Sequence, residues 1–305
     1  MNTETIDTTP AIDTILDGIV DPLEVADELE DMFINGLPPG FGTGFRELDY
    51  LYRVQPGQWT ILTGIPGSGK STLLDNIAVN LAKIHGWKHL ICSPEHQPIK
   101  RHIAALASIY CGKEFRSDRM SSQEYADSLA FVQAHFKFIY PPEKDFTGDK
   151  ILALADAVTE DGFDFTGFII DPYNELEHKR PSAMTETEYV SFLLSRFRRY
   201  ARDHQKHLWL VAHPTKLRKV EIKQSNTATM EELTKAIYPV PTLYDISGSA
   251  HFFNKADMGL AVWRDKMDKN NIIQVHCQKV RFRESGQLGK ADLKFDWITG
   301  RYYDI

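Results

Sequence analysis

Short, uninterrupted apolar runs alternate along this chain with longer segments in which apolar residues recur every third or fourth position. The runs are Trp59–Thr63, His89–Cys92, Phe136–Ile139, Gly167–Asp171 and Leu208–His213. A run of this kind, lacking polar alternation, predicts a strand covered on both faces, as in a parallel sheet. The helical period predicts a helix from Lys70 to about His85, helices after the second strand as far as about Ala134, and one over Glu186–His204. The last stretch differs: Gly259–Arg264, Ile272–Lys279 and Ala291–Phe295 are joined by short polar connections, which predicts an antiparallel edge. The expected fold class is therefore α/β, a mainly parallel sheet sandwiched by helices with an antiparallel C-terminal edge.

Residues 1–20 are polar and rich in Thr and Asp, a composition expected to be disordered. From Asp21 a helix begins: Asp21 suits the N-cap, Pro22 the first turn, and Val25, Leu29, Met32 and Phe33 share one face. So short a stripe needs a surface to pack on, either its own domain or a neighbouring subunit. Gly36, Pro38, Pro39 and Gly40 read as a linker. The expected organisation is an acidic leader with a linker helix over residues 1–38, followed by one large domain over 39–305.

The net charge of −7 changes meaning once its distribution is considered. Residues 1–45 hold ten Asp and Glu and no Lys or Arg, leaving 35 basic against 32 acidic residues in the rest, a net of +3. The body of the chain is mildly basic, which permits nucleic-acid binding. No apolar run approaches the roughly 20 residues of a membrane span, and the N-terminus lacks the charged and apolar regions of a signal peptide. Three cysteines without a CxxC pair fit neither a disulfide framework nor a zinc site, so a reducing cytoplasm is expected.

The strongest chemical signal is Gly64-Ile-Pro-Gly67-Ser68-Gly69-Lys70-Ser71, a full match to GxxxxGK[ST] between a predicted strand and helix. The glycines let successive backbone N–H groups turn inward around a phosphate, and the helix adds its positive end. Gly64, Gly67, Ser68, Gly69, Lys70, Ser71 and Thr72 are the expected nucleotide-binding residues, with Lys70 reaching the β- and γ-phosphates of ATP and Ser71 holding Mg2+. Asp171, at the end of an apolar strand where ligands collect in open α/β sheets, is the expected second metal ligand. Glu95, after the strand His89–Cys92, is the candidate to orient the attacking water, with Glu175 as its rival.

Around these residues the chain resembles a family. Thr43-Gly-Phe-Arg-Glu-Leu-Asp49, Pro56-Gly57, the phosphate loop, Ser93-Pro-Glu95, Asp171-Pro-Tyr-Asn174, Ala212-His213-Pro214, Ser247-Gly248-Ser249 and Lys279-Val-Arg281 occur in order. That series resembles the RecA-like motor domain shared by DnaB, mitochondrial Twinkle and phage primase–helicases, over roughly residues 40–305. The resemblance implies a RecA-like P-loop ATPase core that moves 5′ to 3′ on single-stranded DNA as a hexameric ring. It makes His213 a γ-phosphate sensor and Arg281, assisted by Lys279, an arginine finger offered to the neighbouring subunit's nucleotide. Without it, His213 reads as a core histidine and the two cations as a solvated strand face. Arg264 and Phe295 match positions that sandwich the nucleotide base. The segments matching DNA-contacting loops are about 176–188, about 214–247 and the Ser247-Gly248 turn. Lys216, Arg218, Lys219, Ser247 and Gly248 are the named candidates, in a long polar stretch suited to sequence-independent phosphate contacts.

There is no zinc module of the CxxC…CxxC type, and no primase or collar domain is expected before residue 40. The implied function is an ATP-dependent replicative helicase motor in the cytoplasm of a bacterial or phage-infected cell, with other replisome proteins as further partners. Two alternatives differ in class. One is a RecA-like DNA-stimulated ATPase that never unwinds DNA, such as a recombinase or signalling ATPase. The other is a non-hydrolysing ATP-dependent clamp.

Overall fold

A computed structural model describes residues 21–140, 146–225, 232–246, 250–265 and 270–305. The chain divides into two units at Pro38–Pro39. In the first, a 3-10 turn over Pro22–Val25 leads into helix α1 (Ala26–Asn35). Asp21 caps the turn by accepting the Leu23 N–H at 2.9 Å. None of the side chains in α1 is buried, and Phe33 is 89% exposed.

The second unit follows the alternation of the sequence. After the short α2 (Arg46–Asp49) come β1 (Trp59–Thr63), α3 (Lys70–His85), β2 (His89–Cys92), α4 (Ile99–Cys111), α5 (Ser122–His135) and β3 (Phe136–Phe138). Then follow α6 (Gly148–Glu160), β4 (Gly167–Ile170), α7 (Glu186–Asp203) and β5 (His207–Ala212). A hairpin of β6 (Val220–Ser225) and β7 (Glu232–Ile237) precedes α8 (His251–Lys255), β8 (Met258–Trp263), β9 (Ile272–Val280), β10 (Gly289–Phe295) and β11 (Tyr302–Asp304). Ser121 and Thr185 start α5 and α7 with capping boxes, closed by Glu124 and Glu188.

The sheet has nine strands in the order β11-β10-β9-β8-β1-β5-β4-β2-β3. The six from β8 to β3 run parallel, and β9, β10 and β11 continue them antiparallel. Successive residues of a strand face opposite sides, so the apolar runs feed two cores. Leu62, Ile91, Trp209, Val211 and Leu260 meet Leu73, Ile77 and Leu81 of α3 with Leu106 of α4 on one face. Ile61, Leu90, Phe168, Leu208 and Leu210 meet Ile151 of α6 and Leu193, Leu194 and Phe197 of α7 on the other.

The structure departs from the sequence reading in places. The polar stretch expected as a loop over about 214–247 contains the antiparallel hairpin β6–β7 instead. The strand β11, paired with β10, extends the edge beyond the three strands expected there. His213 and Arg264, expected as the last residues of their strands, lie just beyond β5 and β8.

Candidate functional site

The phosphate loop leaves β1 at Thr63, whose hydroxyl donates to the Ala212 carbonyl at 2.9 Å and ties the end of β1 to β5. Gly67 and Gly69 have φ of 74° and 98°, a left-handed region that costs other residues free energy. Space is short as well: a Cβ on Gly64 would lie 2.5 Å from the Val262 carbonyl oxygen, and one on Gly69 would run into the Tyr302 hydroxyl. Lys70 opens α3 and is only 5% exposed. Its Nζ donates to the carbonyls of Gly64 at 2.8 Å and Ile65 at 3.3 Å.

Asp171 follows β4 and is 4% exposed, with its N–H donating to the Cys92 carbonyl at 2.9 Å. Burial raises its pKa, outweighing a hydrogen bond with Ser71 and the nearby His96 and Lys70, while the neighbouring Asp75 adds to the rise. A small-residue cradle that a Cβ would fill, one buried lysine, one hydroxyl and one carboxylate form a donor set that fits a nucleotide polyphosphate with Mg2+.

Three strand ends converge beside this loop. Glu95, after β2, brings its Oε1 to 3.7 Å from Nε2 of His213, after β5. The His213 N–H donates to Asn174 Oδ1 at 2.7 Å, and among the described residues its buried Nδ1 has no hydrogen-bond partner. The rival Glu175 is exposed on the 3-10 turn Tyr173–Glu175.

Behind the loop lies a buried pair that sequence reasoning missed. His102 of α4 stands with Nε2 2.8 Å from Asp75 Oδ1 of α3. Burial pulls the His102 pKa down, but the charge and hydrogen bond of Asp75, helped by Asp171, leave it raised overall. The His96 ring lies 4.3 Å from His102, and its Nδ1 is 3.0 Å from the Ser93 hydroxyl.

A cleft of about 610 Å³ opens past Thr72 and Glu95 toward Phe295 and Ile298. Arg264 and Phe295, the residues expected to sandwich the base, are joined by Trp297, which the sequence reading did not name. The Arg264 guanidinium lies 4.9 Å from the Trp297 ring centre, and Trp297 meets Phe295 edge to face at 4.9 Å. Arg264 is thus carried by Trp297, with Phe295 beside them; the signal was the aromatic spacing Phe295-Asp296-Trp297.

Lys279 and Arg281 lie away from the phosphate loop of their own chain. Strand β9 runs antiparallel to β8, so Lys279 pairs with Gly259 at the end where the parallel strands begin. Asp257, beside Arg281, also contacts the Trp59 N–H at the start of β1, 3.4 Å away. The five residues of β1 separate that point from Gly64, about 17 Å at strand rise. Arg281 Nε is 3.2 Å from Asp257 Oδ1, and its Nη2 donates to the Asn254 carbonyl at 2.9 Å. Lys279 Nζ donates to the carbonyls of Phe253 and Asn254. Burial and the charge of Arg281 push its pKa down to about 8 despite Asp257.

Of the candidate DNA contacts, Lys216, Arg218 and Lys219 are exposed on the segment between β5 and β6, with Lys219 Nζ 5.3 Å from the Tyr238 ring centre. That segment is anchored where the Thr215 N–H donates to the Asp245 carbonyl at 2.6 Å. Ser247 and Gly248 lie outside the described residues. Among the described residues no helix is long and apolar enough to cross a membrane.

Comparison with known proteins adds four findings. The family described as DnaB-like helicase C terminal domain matches residues 40–304. A Twinkle homolog protein, chloroplastic/mitochondrial, of Arabidopsis thaliana is 38% identical over 280 residues, covering 87% of this chain and 36% of that protein. The chain therefore spans about a third of that relative's length. Among solved structures, the ATPase domain of G40P superposes with a TM-score of 0.69 at 17% identity, covering 97% of this chain and 99% of its own. A DnaB-like replicative helicase, solved for its interactions with primase, gives 0.70 at 16% identity, covering 96% of this chain and 70% of its own. The two structures share the RecA-like fold of this chain.

Proposed function

We propose, from the premise that this chain belongs to the DnaB-like helicase C-terminal domain family, that it is the ATP-hydrolysing motor of a replicative DNA helicase. The observation that carries the reading is the division of the chemistry between two ends of the sheet. Lys70, Ser71, Asp171, Glu95 and His213 gather at one end; Lys279 and Arg281 stand at the other, about a strand's length away.

In this mechanism Lys70 exchanges the Gly64 and Ile65 carbonyls for β- and γ-phosphate oxygens of ATP. Ser71 and Asp171 would hold Mg2+, which would supply neutralisation of charge on the phosphoryl group. Glu95 orients the attacking water and accepts its hydrogen bond. His213, within reach of Glu95 and held through its backbone by Asn174, registers whether the γ-phosphate is present. Arg264, Trp297 and Phe295 offer a flat, weakly selective surface to the base. Arg281 of one copy completes the pocket of the next, so hydrolysis requires assembly, which we take to be a hexameric ring. Lys216, Arg218 and Lys219, with the turn at Ser247 and Gly248, grip single-stranded DNA through its phosphates. Movement 5′ to 3′, replisome partners and a cytoplasmic location belong to the same proposal; the named relative is organellar, whereas the three free cysteines suit a reducing compartment.

The test uses ATP turnover with and without single-stranded DNA, together with displacement of a strand from a forked duplex. The parent should be stimulated by DNA and should displace the strand, and Lys70→Ala should do neither. Stimulated turnover without displacement would favour an ATPase that does not unwind, and ATP binding without turnover would favour a clamp.

A further inference from the structure

Asp257 is buried just before β8, its side chain 4% exposed, and a carboxylate in such a place must be paired to persist. Its partners are unusual in number. Oδ1 faces the guanidinium groups of Arg281 at 3.2 Å and Arg198 at 3.4 Å, while Oδ2 faces the Trp59 N–H at 3.4 Å. The backbone repeats the link, because the Arg281 N–H donates to the Asp257 carbonyl at 2.9 Å. Arg281 is thereby fixed along one side. Nη2 donates to the carbonyls of Asn254 at 2.9 Å and Ala256 at 3.4 Å, at the end of α8, while Nε lies 3.2 Å from Asp257 Oδ1 as an ion pair without a hydrogen bond. Among the described residues Nη1 makes no hydrogen bond, on a side chain still 29% exposed.

We propose that Asp257 is a positioning residue for Arg281, setting the direction in which the guanidinium projects toward the nucleotide of a second copy of this chain. The proposal rests on the reading of Arg281 as a residue acting in trans. An arginine has several flexible torsions, and holding it in one geometry before the neighbour arrives removes that ordering cost from the reaction. The carbonyls at the end of α8 accept the hydrogen bonds that orient Nη2, while Asp257 adds charge attraction to the guanidinium on one side. Arg198, reaching the same oxygen from α7, raises a competing explanation: the carboxylate could simply pin α7 to the sheet. The experiment separates the two.

Asp257→Asn keeps shape and removes charge. In the full chain it should bind a fluorescent MgATP analogue as the parent does, while DNA-stimulated turnover falls by about tenfold or more, the scale expected for a misplaced group. The decisive readout is mixing. Asp257→Asn chains keep an intact phosphate loop, and Lys70→Ala chains keep an intact Arg281. A mixture should hydrolyse ATP faster than either alone, because Lys70→Ala chains complete the pockets of their Asp257→Asn neighbours. Arg281→Ala mixed with Lys70→Ala is the reference and should be rescued in the same way. If the reference is rescued and Asp257→Asn is not, Asp257 has no positioning role. If neither is rescued, the trans reading fails and takes the proposal with it. Asp257→Glu, which keeps the charge but displaces it, should be slowed less and be rescued likewise. Arg198→Gln should leave turnover close to the parent's; a loss as deep as that of Asp257→Asn would make the carboxylate a structural pin and overturn the proposal.

Discussion

Gly69→Ala tests how tightly the phosphate loop is built. Gly69 has φ of 98° at the N-cap of α3, and an alanine there carries about 1–3 kcal/mol of backbone strain. The new methyl also collides with the Tyr302 hydroxyl of β11, while the ring carbon Cζ lies at an ordinary 3.6 Å. Overpacking of this kind costs a further ~1–3 kcal/mol. The two add to roughly 2–6 kcal/mol, and at about 2–4 °C per kcal/mol for a domain of this size Tm should fall by roughly 5–20 °C. Tyr302→Phe removes the colliding oxygen and leaves the backbone strain. A double-mutant cycle in urea should therefore return about 1–3 kcal/mol of coupling between the two sites, well above the ~0.5 kcal/mol seen for independent positions. A Gly69→Ala protein as stable as the parent, or a cycle with no coupling, would show that β11 does not press on the loop as described. The single variant should also lose MgATP binding, with partial recovery in the double.

Glu95→Gln should retain MgATP binding but slow single-turnover hydrolysis by about 10²–10⁴, the usual contribution of a positioned base; a loss of less than tenfold would move the role to Glu175. Arg264→Ala should raise the KM for ATP and leave kcat nearly unchanged, since cation–π stacking on a base contributes about 0.5–2 kcal/mol of binding; an equal fall in kcat would point to chemistry instead. Asp171→Asn should abolish Mg2+-dependent turnover and yet raise the Tm of the nucleotide-free protein at neutral pH. The sign follows from the raised pKa of Asp171: its stability contribution is present at acid pH, below the ordinary carboxylate range, and is lost as pH rises through the folded value. The stabilisation of the variant should accordingly shrink in melts taken at progressively lower pH, and a gap that widened there would contradict the burial argument.

The phosphate site was legible because its requirements are local. A strand, a turn of glycines and a helix start are adjacent in sequence, and the sheet order that brings Glu95, Asp171 and His213 together follows from parallel βαβ topology. What escaped was set by distance or by weak pattern. Asp75 and His102 are 27 positions apart and meet only because α3 packs against α4. Trp297 sits two positions after Phe295 and lies outside the strand β10, so the pairing with Arg264 depends on how that turn is placed. The hairpin β6–β7 is a two-stranded ribbon outside the main sheet, and its sequences VEIKQS and ELTKAI lack the uninterrupted apolar runs that mark the parallel strands. The strand β11 spans three residues, too few for periodicity to register.

The placement of Arg281 at the far end of the strands from Gly64 has an arithmetical consequence. If each pocket borrows a cation from next door, a row of n copies with free ends has one pocket that nobody completes and one guanidinium with nothing to serve. Joining the ends fills both at once, so closure adds a whole working site rather than merely one more contact. A break anywhere in such a circle would silence a single pocket, while the remaining pockets keep their partners.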